Sequence, residues 1–330
     1  MVTVTCFGGA DEVGGNQILL EDGPTRLFLD FGTPYGQRNK FYEEFLNPRS
    51  GYGLLDYLET RLLPPRRGIY RSDLEHPLVQ ERVRGAPSLE VDGVLLSHAH
   101  LDHSGSLAFL REDIPIYTNA ATAFIAKAIQ DSGKGGLEGE VVYSVPKRLT
   151  EEGVLGATDW KTTKARQRPF MLFDHEVLSP EARAFWEGVP GSRGLDPVPL
   201  RGAGAIGGRR VRCFPVDHSI PGACAFALET SDGWAVFTGD LRRHGARAKA
   251  TEAFVAEAAR LGPKVLLCEG TRAGEEAPRT VSEGEVLERS LEAVRAARGH
   301  LVFADFGPRH IERLRAFHRV AQETGRYLVI

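Results

Sequence analysis

Residues 95–107 read LLSHAHLDHSGSL, which puts three histidines and an aspartate within six positions, directly after an apolar run. The chain holds only ten histidines in 330 residues, so this cluster constrains the fold more than any other stretch. His98 and His100 are two apart, and in extended backbone their side chains leave the same side and can share one ion. Asp102 and His103 follow at once, where a tight loop offers them to a second ion nearby. A polar loop of solvated histidines, or histidines capping the next helix, is the plain alternative. HxHxDH after a hydrophobic strand favours the metal. Imidazole plus carboxylate suits zinc, with manganese as the other candidate.

Such a motif predicts further ligands downstream. FPVDHSIPG supplies His218 just beyond a strand, and WAVFTGDLRRHG supplies Asp240 in a strand-to-loop turn, where a carboxylate can bridge two ions. Each alone fits an ordinary turn residue. Their order and strand-end positions make them ligand candidates.

Composition does not oppose this. Hydrophobic residues make up 42% and charged residues 26%, a globular mix, and the net charge of −3 advertises no nucleic-acid partner, although a local basic groove can sit on a near-neutral protein. Cys6, Cys213, Cys224 and Cys268 are scattered without a CxxC pair, which excludes a zinc ribbon and points to a reducing compartment. No apolar run is long enough for a bilayer. The expectation is a cytoplasmic protein with no membrane partner, and a homodimer is open to it.

Along the chain, Val2 to Phe7, Asn16 to Glu21 and Arg26 to Phe31 read as strands separated by glycine-bearing turns. Residues 36–90 read as an insertion with short helices, and VDGVLL as the strand feeding the histidines. Residues 104–111 suggest a helix, IPIYT a strand, and NAATAFIAKAIQ a helix capped by Asn119. A polar segment at 145–205 reads as a second insertion. RRVRCFPVDH, CAFALET and WAVFTGD form a second β-rich block. KVLLCEG then reads as a buried strand, Ser282 with Glu285 as a capping box, LVFADF as a strand, PRHIERLRAFHRVAQETG as a helix and YLVI as a strand. That βαβαβ run is the grammar of a parallel sheet.

The order HxHxDH, then His, then Asp resembles the metallo-β-lactamase superfamily. The resemblance implies an α/β fold, an αββα sandwich of two sheets flanked by helices, here over residues 1–265. It also implies that Asp30 in LFLDFG sits beneath the metals. Glu269 in VLLCEGT matches the acidic residue that the β-CASP nucleases carry before an inserted parallel-sheet domain, so residues 266–330 resemble the first part of that insert. FGGADEVGGNQILLE, HSIPGA and FTGDLRRHG are similar to segments of ribonuclease J and its relatives. Ser219 and His244 are candidates for substrate contact.

The implied activity is two-metal hydrolysis of RNA, endo- or 5′-exonucleolytic. Two cations acidify a shared water, and the resulting hydroxide attacks phosphorus. Asp102, Asp240 and Glu269 are the implied catalytic carboxylates, and single-stranded RNA is the implied partner. Arginines of PPRRGIYR and the Lys161–Arg168 tract are candidates to track a phosphate backbone, with Phe170 or Trp160 to stack a base. His76, His175, His300 and His318 read as surface or packing histidines, and Cys268 as a buried apolar residue. A DNA-repair nuclease, a thioesterase-like hydrolase and a silent RNA-processing subunit are the competing readings. β-CASP enzymes add a further histidine motif resembling SGH, so the expectation is that this sequence belongs to a longer polypeptide carrying the second metal's last ligand.

Overall fold

Alternation at the N-terminus builds strands where the sequence predicts them. β1 (Val2–Gly8), β2 (Gln17–Asp22) and β3 (Thr25–Phe31) form an antiparallel meander, and a two-residue connection through Gly23, at φ +63°, joins the last two. The structure, a computed structural model, describes residues 1–43, 45–133, 135–159, 161–274 and 280–330. Trp160 lies outside the described residues.

β4 (Gly93–Leu95) continues the sheet parallel to β3 and leads into α1 (Leu101–Ser104). β5 (Ile116–Thr118) precedes α2 (Ala120–Ser132), where Asn119 Oδ1 accepts the Thr122 N–H at 2.9 Å, the predicted cap. β6 (Phe170–Leu172) and β7 (Arg201–Gly202) complete a seven-stranded sheet in chain order. The second sheet holds β8 (Val211–Pro215), β9 (Cys224–Thr230), β10 (Gly233–Phe237) and β11 (Val265–Leu267), with α3 (Ala248–Leu261) crossing between its last two strands.

Burial follows from which faces are apolar. Leu20, Leu27 and Leu29 of the first sheet meet Phe226, Leu228 and Phe237 of the second. Phe28 and Phe31, on the opposite face, pack against residues of the 54–74 segment, and Phe254 of α3 covers the outer face of the second sheet. The result is helices, sheet, sheet, helix. Burying one such phenylalanine contributes roughly 1.5–3 kcal/mol.

Several expectations are corrected. The helix expected at 104–111 starts earlier, as α1, and continues as a 3-10 turn over Gly105–Phe109. Residues of both segments read as insertions pack with the rest of the chain: 36–90 contributes to the outer core, and 145–205 contributes β6 and β7, which leaves those two readings neither supported nor overturned. Phe170 is fully buried and cannot stack a base. Arg168 and Arg71 are buried too; Arg71 pairs with Asp73 at 2.8 Å and Glu140 at 2.6 Å, so neither is offered to a phosphate backbone. His76 is buried, its Nδ1 accepting from Leu78 N at 3.3 Å, whereas His175, His300 and His318 are exposed.

The C-terminal βαβαβ reading holds for its first strand, β11, which pairs with β10 of the sandwich, and for its helices, α4 (Glu283–Ala296) and α5 (Ile311–Thr324), which pack on each other. Ser282 Oγ accepts the Glu285 N–H at 3.1 Å. Among the described residues neither LVFADF nor YLVI is in a strand, and Phe303 is 87% exposed. A strand is defined by a hydrogen-bonded neighbour, and no described segment pairs with either. For the same reason β11 is an edge rather than a buried strand: Leu266 is 60% exposed, and Cys268 is exposed rather than buried. Among the described residues no helix is long and apolar enough to cross a membrane.

Arg168 joins three segments of the outer core by donating to Val141 O at 3.0 Å, Arg111 O at 2.7 Å and Leu110 O at 2.8 Å. Burial lowers its pKa to about 10, which leaves it charged at neutral pH. Replacing it with leucine strands three carbonyls, at about 1–3 kcal/mol each. Arg168→Leu is therefore expected to lower stability by roughly 3 kcal/mol or more in urea unfolding, and a midpoint equal to the parent's contradicts this role.

Candidate metal centre

Every strand that carries a candidate ligand ends at the same edge of the sandwich. Asp30 is the penultimate residue of β3, residues 97–103 follow β4, His218 follows β8, Asp240 follows β10, and Glu269 follows β11. Parallel pairing of β3 with β4 and of β10 with β11 sends their loops the same way. The two sheets touch there, the Cys224 N–H donating to Ser97 O at 3.0 Å.

Asp30 is wholly buried and has φ +58°, a strained value for a non-glycine residue. Its carboxylate accepts from Ser97 N and Ser97 Oγ, each at 2.7 Å, and from His103 Nδ1 at 2.7 Å. The buried His103 Nε2 is thereby turned inward. It makes no hydrogen bond, with Asp240 Oδ1 at 3.4 Å and Asp102 Oδ2 at 3.7 Å. Burial opposes charge on His103, but Asp30, helped by Asp240, overrides it and raises the imidazole to about 10. The pocket favours a cation.

A second group faces the first. His98 Nε2 lies 3.0 Å from His100 Nδ1, which lies 3.2 Å from His218 Nε2, and His218 Nε2 is 3.7 Å from Asp240 Oδ2. Zinc–nitrogen bonds of about 2.0–2.1 Å put tetrahedral ligand nitrogens about 3.3 Å apart, close to this spacing. Burial is the first cause that lowers His98 and His218, the latter to about 4, so both favour the neutral form that coordinates. His98, His100 and His218 can hold one ion, and His98, His103 and Asp240 have ligand atoms close enough for another. The orphaned His103 Nε2 and the neutral imidazoles fit divalent metal ions.

The remaining candidates are placed unevenly. Asp102 is partly exposed and faces His103, outside the two tightest groups. Its position depends on the N-terminal glycines: Gly15 N and Asn16 N donate to Asp102 O at 2.9 and 3.2 Å, and a Cβ on Gly14 would run into the Asp102 side chain. Glu269 shares a cleft of about 650 Å³ with Asp240, Glu12 and Gly14, but its carboxylate accepts from Thr271 N at 2.9 Å and its own N–H donates to Thr238 Oγ1 at 3.1 Å. Ser219 and His244 are half-buried; His244 O accepts from Glu283 N at 3.1 Å, and no described contact brings its ring to the cluster. Sequence reasoning missed Ser97, whose only signal is that it precedes the first histidine. It also missed Tyr35, whose phenol is pushed up by burial and then by Asp102.

Converging histidines and carboxylates at the rim of an αββα sandwich define a metal-site protein of the metallo-hydrolase type. The chain belongs to the metallo-beta-lactamase superfamily, whose sequence profile matches residues 68–270. It is similar to a ribonuclease J of Mycolicibacterium smegmatis, with 22% identity over 329 residues, covering 98% of this chain and 43% of that protein. Among solved structures it is similar to a protein of unknown function from Enterococcus faecalis V583, with TM-score 0.60 and 22% identity over 97% of this chain and 63% of the other. A quorum-quenching N-acyl homoserine lactone lactonase aligns at TM-score 0.37 and 12% identity, over 85% of this chain and 97% of its own. The chain thus spans less than half of the curated relative it matches.

His103 must give up a proton to coordinate. Zinc affinity is therefore expected to rise roughly tenfold per pH unit below about 10, with one proton released, read as a dependence of calorimetric heat on buffer ionisation enthalpy. Heats independent of buffer contradict this assignment.

Proposed function

We propose that this site hydrolyses phosphodiester bonds in single-stranded RNA, using two divalent ions of which zinc suits the donors best. The observation that carries this reading is the reach of the similarity. The superfamily profile ends at residue 270, whereas the likeness to ribonuclease J runs over 98% of the chain and so includes α4 and α5. In this reading residues 266–330 begin a β-CASP-like unit after Glu269.

His98, His100 and His218 would hold one ion, and His103 with Asp102 the other, with the two oxygens of Asp240 facing both groups. Bound there, the ions supply Lewis acidity towards a phosphoryl oxygen and acidify water. Asp30 and Ser97 keep His103 and His98 in the rotamers that aim at the centre. Asp102, partly exposed beside His103, would take up a proton from water at whichever carboxylate oxygen is not holding the ion. The cleft along Gly14, Asp240 and Glu269 would be where the substrate reaches Asp240.

Purified protein given labelled RNA and DNA of one sequence with defined 5′ ends should shorten the RNA, and a chelator should stop it. Loss of an outer-shell group costs about 10–100-fold, so His100→Ala, which removes a ligand, should lose more than about 100-fold. Turnover of thioesters or lactones with RNA left intact contradicts the reading.

A further inference from the structure

The loops that deliver His218 and Asp240 converge on a residue that no ligand set includes. The Arg242 N–H donates to Asp217 O at 2.8 Å, bridging the residue before His218 to the second residue after Asp240. The Arg242 side chain is only 10% exposed; Nε faces Asp217 Oδ1 at 3.3 Å and Nη1 faces Glu283 Oε1 at 3.2 Å. Nη1 also lies 3.2 Å from His310 Nε2, and Nη2 donates to Glu312 Oε2 at 2.5 Å. Glu283 opens α4, and His310 and Glu312 open α5.

The partners are themselves fixed. Asp217 N donates to Thr251 Oγ1 at 2.8 Å, and Asp217 Oδ2 accepts from Gly245 N at 2.8 Å. Glu283 accepts from Arg313 at 2.9 and 3.0 Å, and Glu312 Oε1 accepts from Ala246 N at 2.8 Å. A Cβ on Gly245 would run into Arg242 Nη2 and meet the Asp217 carboxylate at 2.6 Å, so a side chain there would displace the guanidinium or its partner. Without the guanidinium, the buried Asp217 and Glu283 and the partly exposed Glu312 would lose the cation that all three share, a costly change for the two buried carboxylates.

We propose that Arg242 is the positioning residue of the metal centre: it holds the His218 and Asp240 loops at ligand spacing and couples them to the docking of α4 and α5. Coupling of this kind is reciprocal. Ions at the cluster tighten the starts of both helices, and docked helices raise the affinity for ions.

This rests on reading the cluster as a metal centre. The test is a chelator-competition titration of Zn2+ into the metal-free chain, with amide exchange followed at the starts of α4 and α5. Glu312→Gln, a near-isosteric change on a partly exposed side chain, should weaken zinc by about 2–30-fold. Arg242→Ala should weaken it at least as much, Arg242→Lys should recover part, and Gly245→Ala, which alters no charge, should resemble Glu312→Gln. Zinc should slow exchange at both helix starts in the parent and not in Glu312→Gln, which serves if Arg242→Ala does not fold. Variants that bind zinc as the parent does, or helix starts whose exchange ignores zinc in the parent, overturn the proposal alone. A parent chain that takes up no zinc overturns both the proposal and the metal reading beneath it.

Discussion

The carboxylate of Asp30 is the interaction on which the site depends. An isolated ion buried this deeply costs several kcal/mol, and its positive φ adds about 1–3 kcal/mol. Three donors offset the cost, and all belong to the segment that carries the histidines: Ser97 N, Ser97 Oγ and His103 Nδ1. Satisfying Asp30 therefore sets the path of residues 97–103. His98 leaves the strand end on one side and His103 returns on the other, with Nε2 aimed at the centre.

The centre is divided between the two sheets. The first supplies residues 98–103, and the second supplies His218 and Asp240, so ligand spacing is a property of how the sheets pack. Leu29 and Leu95 against Phe226 and Phe237 set that packing from beneath. The Cys224–Ser97 hydrogen bond sets it at the rim. A shift of even 1 Å between reacting groups can cost about 100-fold in rate, which explains why the site sits on strand ends rather than on long loops.

Legibility in the sequence tracked how local the signal was. The strands of the N-terminal meander, the cap at Asn119, the histidine motif and the order of His218 and Asp240 are written in spacings of a few residues. Cooperation at a distance is not. Arg168, Arg71 and Phe170 sit in a polar context that resembles surface, and only the fold reveals that backbone carbonyls and neighbouring strands enclose them. Ser97, Tyr35 and Arg242 act through partners far away in sequence, so no spacing announces them. β11, LVFADF and YLVI have the apolar, β-branched composition of buried strands. Whether such a segment is a strand depends on a neighbour, which its own residues do not specify.

In the proposed reading, the packing directed by Asp30 creates adjoining sites for two divalent ions. Anomalous scattering at the zinc edge from crystals of metal-replete protein tests it most directly. Two peaks are expected within about 4 Å of each other, one against His98, His100 and His218 and the other against His103, Asp102 and Asp240. Replete crystals with no peak at this rim, or with zinc held by other residues, would contradict it.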